Sequence, residues 1–223
     1  MNCISGCAHD CKYCYAKQLL KRGGIKTDED WHVMVVREKD VRKAYMKREG
    51  RIMFPTSHDL VPEDPSFQPC MVVLGKLLDA GNEVLVTTKP HLEAVKYMCE
   101  TFESLKAQVQ FRFTITSASD KILKFWEPGA PAFEERLRSL EYAALSGYKT
   151  SVSIEPILDK TIAALDDLYS RVEPWCTESV WLGIMNHVKD GNKIDPGEVY
   201  RHFVNRDRVV RFKDSIRQAV GLE

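Results

Sequence analysis

The sequence alternates short apolar segments, rich in β-branched and aromatic residues, with longer segments that have helical spacing. Two of the apolar segments, 83–89 and 179–186, are almost continuously hydrophobic, which is typical of strands covered by helices on both faces. Alternation of this kind predicts right-handed βαβ units and a parallel sheet. The predicted strands are 2–5, 51–57, 83–89, 109–116, 149–155 and 179–186.

Every gap between these strands contains a segment that can form a crossover helix. Two further helices are predicted after the last strand. Six units are too few for a complete eight-stranded barrel, so we expect an α/β fold of the partial (β/α)6 barrel type. We expect one domain, with a core over 1–190 and a C-terminal helical segment, 191–223, packed on it. The predicted helices are 15–22, 38–49, 66–80, 91–102, 131–146, 161–172, 195–205 and 206–220.

Composition limits the function classes. With 223 residues, 44% of them hydrophobic, the chain can bury one substantial core. Lys plus Arg equals Asp plus Glu at 32 each, which removes the global positive field of a sequence-independent DNA binder. The N-terminus lacks a secretory signal and no apolar run is long enough to span a bilayer, so we expect a soluble, cytoplasmic protein.

Four of the seven cysteines lie within the first fourteen residues, which is not the pattern of a disulfide framework. Cys7, Cys11 and Cys14 form a Cys-x3-Cys-x2-Cys motif directly after the first predicted strand. That loop lies at the carboxyl end of a parallel strand, where α/β folds bind their ligands. Three thiolates can ligate three irons of a cubane cluster and leave the fourth iron open for chemistry.

Cys3 gives an alternative in which it joins the motif as the fourth ligand of a structural zinc ion. Zinc sites of that kind usually use two separated Cys-x2-Cys pairs, and Cys3 falls inside a predicted strand, so we interpret it as a core residue. A zinc-stabilised, non-catalytic binding module nevertheless remains the competing hypothesis. Cys70, Cys99 and Cys176 are scattered and predict no second cluster.

The motif also carries Tyr13 at its aromatic position, and Cys-x3-Cys-x-aromatic-Cys resembles the signature of the radical S-adenosylmethionine (SAM) superfamily. The resemblance implies a [4Fe–4S] cluster held by Cys7, Cys11 and Cys14, with SAM bound to the open iron. It also implies an electron donor such as flavodoxin or ferredoxin. In that family one electron cleaves SAM, and the resulting 5′-deoxyadenosyl radical abstracts a substrate hydrogen.

Segments 6–16, 85–89, 111–116 and 127–148 resemble the spore photoproduct lyase-like, or DNA repair photolyase-like, branch of that superfamily. This likeness places Ser57 at the SAM amino group, and Lys89 and Thr114 at its carboxylate. Each residue also has a structural alternative, such as a salt bridge for Lys89. The remaining cofactor contacts that the resemblance implies are Tyr13, Thr116, Glu127, Ser153, Glu155 and Asn186.

Pro55 occupies the position, two residues before Ser57, where the resemblance expects the hydrogen-donating cysteine of photoproduct lyases. This difference argues against repair of thymine dimers by that mechanism. The neighbouring His58 and Asp59 are interpreted either as substrate-facing residues or as a surface hydrogen-bond pair. We expect hydrogen abstraction from an unassigned substrate, with nucleic acid first and a peptide or small metabolite second.

Overall fold

The computed structural model describes residues 1–185, 194–206 and 209–222. Near the N-terminus, Ile4–Ser5 (β1) and Val35–Val36 (β2) form an antiparallel pair. All other strands form one six-stranded parallel sheet whose spatial order follows the chain. Its strands are Ile52–Phe54 (β3), Val84–Thr88 (β4), Val109–Thr114 (β5), Lys149–Ile154 (β6), Ser179–Leu182 (β7) and Val210–Phe212 (β8).

Helices connect consecutive strands, as right-handed βαβ units require. Short 3-10 turns follow some of them, at Glu103–Gln108, Glu173–Trp175 and Gln218–Val220. The helices are Tyr15–Arg22 (α1), Glu38–Arg42 (α2), Phe67–Asp79 (α3), Leu92–Thr101 (α4), Asp120–Trp126 (α5), Phe133–Leu145 (α6), Ile162–Val172 (α7), Pro196–Phe203 (α8) and Asp214–Arg217 (α9).

The two faces of the sheet differ because side chains alternate along each strand. One face carries apolar residues such as Val86, Phe113 and Val180, which are fully buried in the core with the crossover helices. The opposite face, here called the polar face, carries mainly polar side chains. Its members, aligned by strand register, include Thr87, Arg112, Thr114, Ser151, Ser153 and Trp181.

The six-stranded parallel sheet confirms the predicted fold class, but two of its predicted elements are wrong. The first predicted strand pairs only with β2 and stays outside the sheet. The sixth strand is instead β8, inside the segment predicted as helix 206–220. Val210 and Phe212 extend the core at the edge of β7. The pairing of β8 with β7 favours a strand here over the helix that the spacing of residues 206–220 predicted.

The predicted helix 38–49 ends at Arg42. Its last carbonyls are held by the Lys76 ammonium of α3, which donates to the oxygens of Val41 (2.7 Å), Arg42 (3.3 Å) and Lys43 (3.4 Å). Lys43 itself is extended. A side chain from another helix thus replaces the hydrogen bonds that further helical turns would have made.

Helix α5 was not predicted, whereas α1, α3, α4, α6 and α7 lie within two residues of their predicted ends. The division at residue 190 stays a prediction, although the segment beyond it is not purely helical as we expected. No helix in the described ranges is long and apolar enough to cross a membrane.

Candidate functional site

The cysteine motif lies on the loop between β1 and α1, where Cys14 is the residue before the first helical turn. Cys7, Cys11 and Cys14 all line one cavity of about 330 Å³ at the carboxyl end of the sheet. Cavities of this size bind small organic ligands. The loop that the sequence singled out therefore opens onto a ligand-sized space.

Glycines hold this loop close to its neighbours. Gly6 has a φ of +95°, and a Cβ there would overlap the carbonyl oxygen of Val33. A Cβ at Gly129 would overlap the carbonyl of Ala8, while the Gly129 amide donates to the His9 carbonyl at 3.1 Å. The segment after α5 thus clamps the cysteine loop by backbone contacts that any larger residue would break.

The three thiols are unusually shielded from water. Cys7 and Cys11 are buried, and Cys14 is half-buried. Burial raises the pKa of Cys11 to about 12 and the pKa of Cys7 well above its ordinary value. Thiolates in this position need a bound cation, because unpaired buried negative charges are strongly unfavourable. The three thiolates are therefore suitable ligands for a cationic metal centre.

Asp59 connects the cysteine loop to the sheet. Its carboxylate accepts hydrogen bonds from the Lys89 amide (2.6 Å) and the Thr88 hydroxyl (2.8 Å), and the Cys7 thiol lies 3.8 Å away. Burial alone would raise the pKa of Asp59, but the charges of Lys89 and His9 hold it well below its ordinary value. Asp59 is thus an internal anion rather than part of a surface pair.

A chain of polar side chains leads from Asp59 toward the surface. The His9 Nδ1 lies 3.0 Å from the Asp59 carboxylate, and the His9 Nε2 lies 2.9 Å from the His91 Nε2. The His91 Nδ1 in turn lies 3.7 Å from Glu135, whose side chain is 41% exposed. These contacts fix the orientation of His9 in the middle of the cysteine loop.

Lys89 follows β4, and its ammonium lies 3.7 Å from Asp59 and 5.7 Å from the centre of the Tyr13 ring. Burial would lower its pKa, but the negative charges around it, first Cys11, raise that pKa well above its ordinary value. Lys89 is therefore a cation held at the cavity wall. A carboxylate on a bound ligand is a suitable further partner for it.

A buried ion pair supports Tyr13 from behind. The Arg136 guanidinium lies 2.6 Å from Glu127, and both side chains are fully buried. Glu127 also accepts hydrogen bonds from the Tyr13 hydroxyl and, at 2.8 Å, from Thr116. Burial raises the pKa of Glu127, but the charges of Arg136 and Lys89 lower it further, so it remains ionised. Sequence reasoning missed Arg136.

The predicted cofactor residues fall into groups. Glu127 and Thr116 hydrogen-bond each other behind Tyr13, and Ser153 is buried next to the cavity-lining Thr114 in the register of the sheet. Asn186 lies outside the described residues. Among the cavity-lining residues that the structure describes are Tyr13, Ser57, Lys89, Thr114 and Glu155.

Cys3 packs in a different cluster from the three motif cysteines. Its sulfur lies 3.7 Å from that of Cys70, and Cys3 is fully buried in the main core. The four-cysteine zinc site is therefore not formed, and the interpretation of Cys3 as a core residue agrees with its position.

A family model for the radical SAM superfamily matches residues 1–172. Curated relatives include the uncharacterised protein ORF301 of Acidianus two-tailed virus, 27% identical over 169 residues, covering 70% of this chain and 55% of that protein. Another is the uncharacterised protein MJ0683 of Methanocaldococcus jannaschii, 26% identical over 164 residues, covering 73% of this chain and 61% of that protein. The chain thus spans less than two thirds of either relative.

Solved structures with this fold include SuiB of Streptococcus suis bound to S-adenosylmethionine, with a TM-score of 0.60 and 10% identity. That match covers 96% of this chain and 47% of SuiB. Spore photoproduct lyase in complex with dinucleoside spore photoproduct has a TM-score of 0.55 and 16% identity, covering 91% of this chain and 60% of the lyase. At these identities the likeness shows a shared fold.

The family match decides between the two hypotheses drawn from the cysteines. A non-catalytic zinc module is wrong, because the matched family consists of enzymes that use SAM, an iron–sulfur cluster and a reductant. The likeness to the spore photoproduct lyase-like branch is confirmed at the level of fold. The chain therefore belongs to the radical SAM superfamily.

Proposed function

We propose that this enzyme holds a [4Fe–4S] cluster on Cys7, Cys11 and Cys14 and uses it to cleave SAM reductively. The observation that carries the proposal is the convergence of these three thiols and the Lys89 ammonium on one cavity. When bound, the cluster and SAM supply a 5′-deoxyadenosyl radical for hydrogen abstraction. Flavodoxin or ferredoxin is the proposed reductant.

The chain's own residues bind and orient these groups. Lys89 is proposed to bind the SAM carboxylate, with Thr114 beside it at the end of β5. Ser57 is proposed to accept a hydrogen bond from the SAM amino group. Tyr13 forms the wall between Lys89 and the Glu127–Arg136 pair. Because Glu127 is paired with Arg136, we propose that it positions Tyr13 instead of contacting SAM.

Replacing Lys89 with methionine is expected to weaken SAM binding about 10- to 100-fold, because a charged hydrogen bond is worth about 1.5–3 kcal/mol. Anaerobic calorimetric titration of the reconstituted protein with SAM measures this change. Lys96→Met, at an exposed position on α4, is the matched control and should bind SAM normally. Equal affinities in the two variants would contradict the role of Lys89.

The substrate proposal rests on the polar face of the sheet, directly below the cavity. Arg112 pairs in register with the cavity-lining Thr87 and lies two residues from Thr114 on β5. Its guanidinium lies 4.9 Å from the centre of the Trp181 ring and donates to Ser151 at 3.3 Å. Among the described residues, no carboxylate lies within 4.0 Å of it.

Burial and the charge of Arg51 lower the pKa of Arg112 and outweigh the opposite effect of Glu155, so a bound anion would be favourable next to it. We propose that this anion is a phosphate of a nucleic acid strand. The bound dinucleoside of spore photoproduct lyase is consistent with that class of substrate. The only thiols among the described cavity-lining residues are the motif cysteines, which supports chemistry without a cysteine hydrogen donor.

Arg112→Ala is expected to weaken binding of a single-stranded oligonucleotide and to reduce the slope of log affinity against log salt by about one. Fluorescence anisotropy at several salt concentrations measures both effects. Arg138→Ala, on the exposed side of α6, should match the wild type. A wild-type chain that binds an acidic peptide but neither DNA nor RNA would reject the nucleic-acid proposal and favour the peptide alternative.

A further inference from the structure

Three buried side chains from separate elements meet beside the cavity, which His58 also lines. Cys3 directly precedes β1, His58 lies on the loop after β3, and Cys70 lies in the first turn of α3. One donor atom from each lies within 4.8 Å of the other two. The fold therefore brings two thiols and one imidazole together from residues that are far apart in the sequence.

The spacing of the two sulfur atoms is informative. They lie 3.7 Å apart, whereas the sulfurs of a disulfide are about 2.05 Å apart. Two thiolates on one tetrahedral zinc ion, each with a zinc–sulfur distance of about 2.3 Å, are separated by about 3.8 Å. Cys3 and Cys70 thus have the separation expected for two ligands of a single ion.

His58 provides independent support. It is only 5% exposed, and its Nδ1 lies 3.2 Å from the Asp59 carbonyl oxygen. Its Nε2 is buried and accepts no hydrogen bond from a nitrogen or oxygen donor, and the imidazole lies beside the Cys3 thiol. Donation from Nδ1 to a carbonyl leaves a lone pair on Nε2, which is how metal-binding histidines are usually oriented. A buried nitrogen without a partner is unfavourable unless a ligand completes it.

We propose that Cys3, His58 and Cys70 bind one Zn²⁺ ion. Two thiolates balance the charge of the ion and the imidazole is neutral, so the complete site carries no net charge in the core. Sulfur and nitrogen ligands favour zinc over magnesium or calcium. Three protein ligands leave the fourth tetrahedral position for a water molecule or another ligand. This site shares no ligand with the cysteine motif.

An ion at this position would have a structural role. It would link the N-terminal segment, the loop after β3 and helix α3 through their shared coordination of one ion. His58 is followed by Asp59, whose carboxylate contacts Lys89 and Cys7 in the cavity wall. Zinc at this site would therefore stabilise the fold and hold Asp59 in position.

The test uses the 223-residue chain with Cys7, Cys11 and Cys14 all replaced by alanine, so that the motif supplies no metal ligand. After reduction and incubation with ZnCl2, followed by gel filtration, we expect about one zinc per chain and a higher melting temperature. CoCl2 should give the thiolate charge-transfer and intense d–d bands of tetrahedral cobalt. Adding Cys70→Ser should abolish all three signals, whereas adding Cys99→Ser, a buried thiol on α4, should preserve them.

Less than about a tenth of an equivalent of zinc in the fully reduced triple variant would overturn the proposal. Equal zinc binding with and without Cys70→Ser would overturn it as well. If Cys70→Ser does not fold, His58→Asn provides the same comparison, and unchanged zinc affinity in that variant contradicts the site. Because the background contains no cluster ligands, these outcomes are independent of whether the enzyme cleaves SAM.

Discussion

Replacing Cys11 with alanine is expected to leave the protein without its iron–sulfur cluster. Cys11 is buried on the cysteine loop near Lys89, and alanine offers no replacement ligand where serine would supply an oxygen. Iron should fall from about four atoms per chain to near zero after anaerobic reconstitution. Iron and sulfide analysis, together with the visible absorbance of the cluster, measures the loss.

Cys176→Ala is the matched control for this experiment. The Cys176 thiol donates to the Val172 carbonyl at 3.3 Å, near the amino end of β7 and far from the cavity. This variant should retain full iron content and normal absorbance. Retention of about four irons by Cys11→Ala would contradict the assignment of Cys11 as a ligand.

Arg136→Ala is expected to reduce the free energy of unfolding by about 3–5 kcal/mol. The substitution leaves Glu127 as an uncompensated charge in the core, because Arg136 is its 2.6 Å ion-pair partner. Urea titration of the cluster-free protein measures the effect. Arg138→Ala, two residues further along α6 and exposed, should change stability by less than about 0.5 kcal/mol.

Two further observations separate this ion pair from a general packing defect. The double variant Glu127→Gln/Arg136→Met removes both charges and should be more stable than Arg136→Ala alone. Because the pKa of Glu127 is lowered in the folded state, the pair stabilises the wild type fully above pH 4.5. That stabilisation should disappear as the pH falls through the folded-state pKa. Equal stability of Arg136→Ala and Arg138→Ala would contradict the account.

The parts of the fold that the sequence predicted are those governed by local patterns. Continuous apolar runs identified β4 and β7, and helical spacing identified the crossover helices because each pattern lies within one segment. The cysteine motif and Lys89 were predictable for the same reason, since a motif on a strand-end loop needs no knowledge of distant residues.

The features that were missed depend on contacts between distant segments. β8 becomes a strand only because it can pair with the open edge of β7. The basic residues and helical spacing of segment 206–220 do not reveal that edge. Helix α2 ends where Lys76 reaches its carbonyls, and that lysine lies over thirty positions along the chain.

Arg136 was missed although the sequence contained a signal. It shares one helical face with Phe133 and Leu140, at spacings of three and four residues, and both are buried. A charged residue in an apolar stripe predicts a buried partner of opposite charge. The identity of that partner, Glu127, depends on how the segment after α5 packs, which local periodicity does not reveal.

The most direct test of the central proposal is the formation of 5′-deoxyadenosine. The anaerobically reconstituted wild-type protein, mixed with SAM and dithionite, is analysed by liquid chromatography and mass spectrometry. We expect 5′-deoxyadenosine that requires the reductant and is absent with Cys11→Ala. A protein that carries about four irons and binds SAM, but forms no 5′-deoxyadenosine under these conditions, would contradict the account.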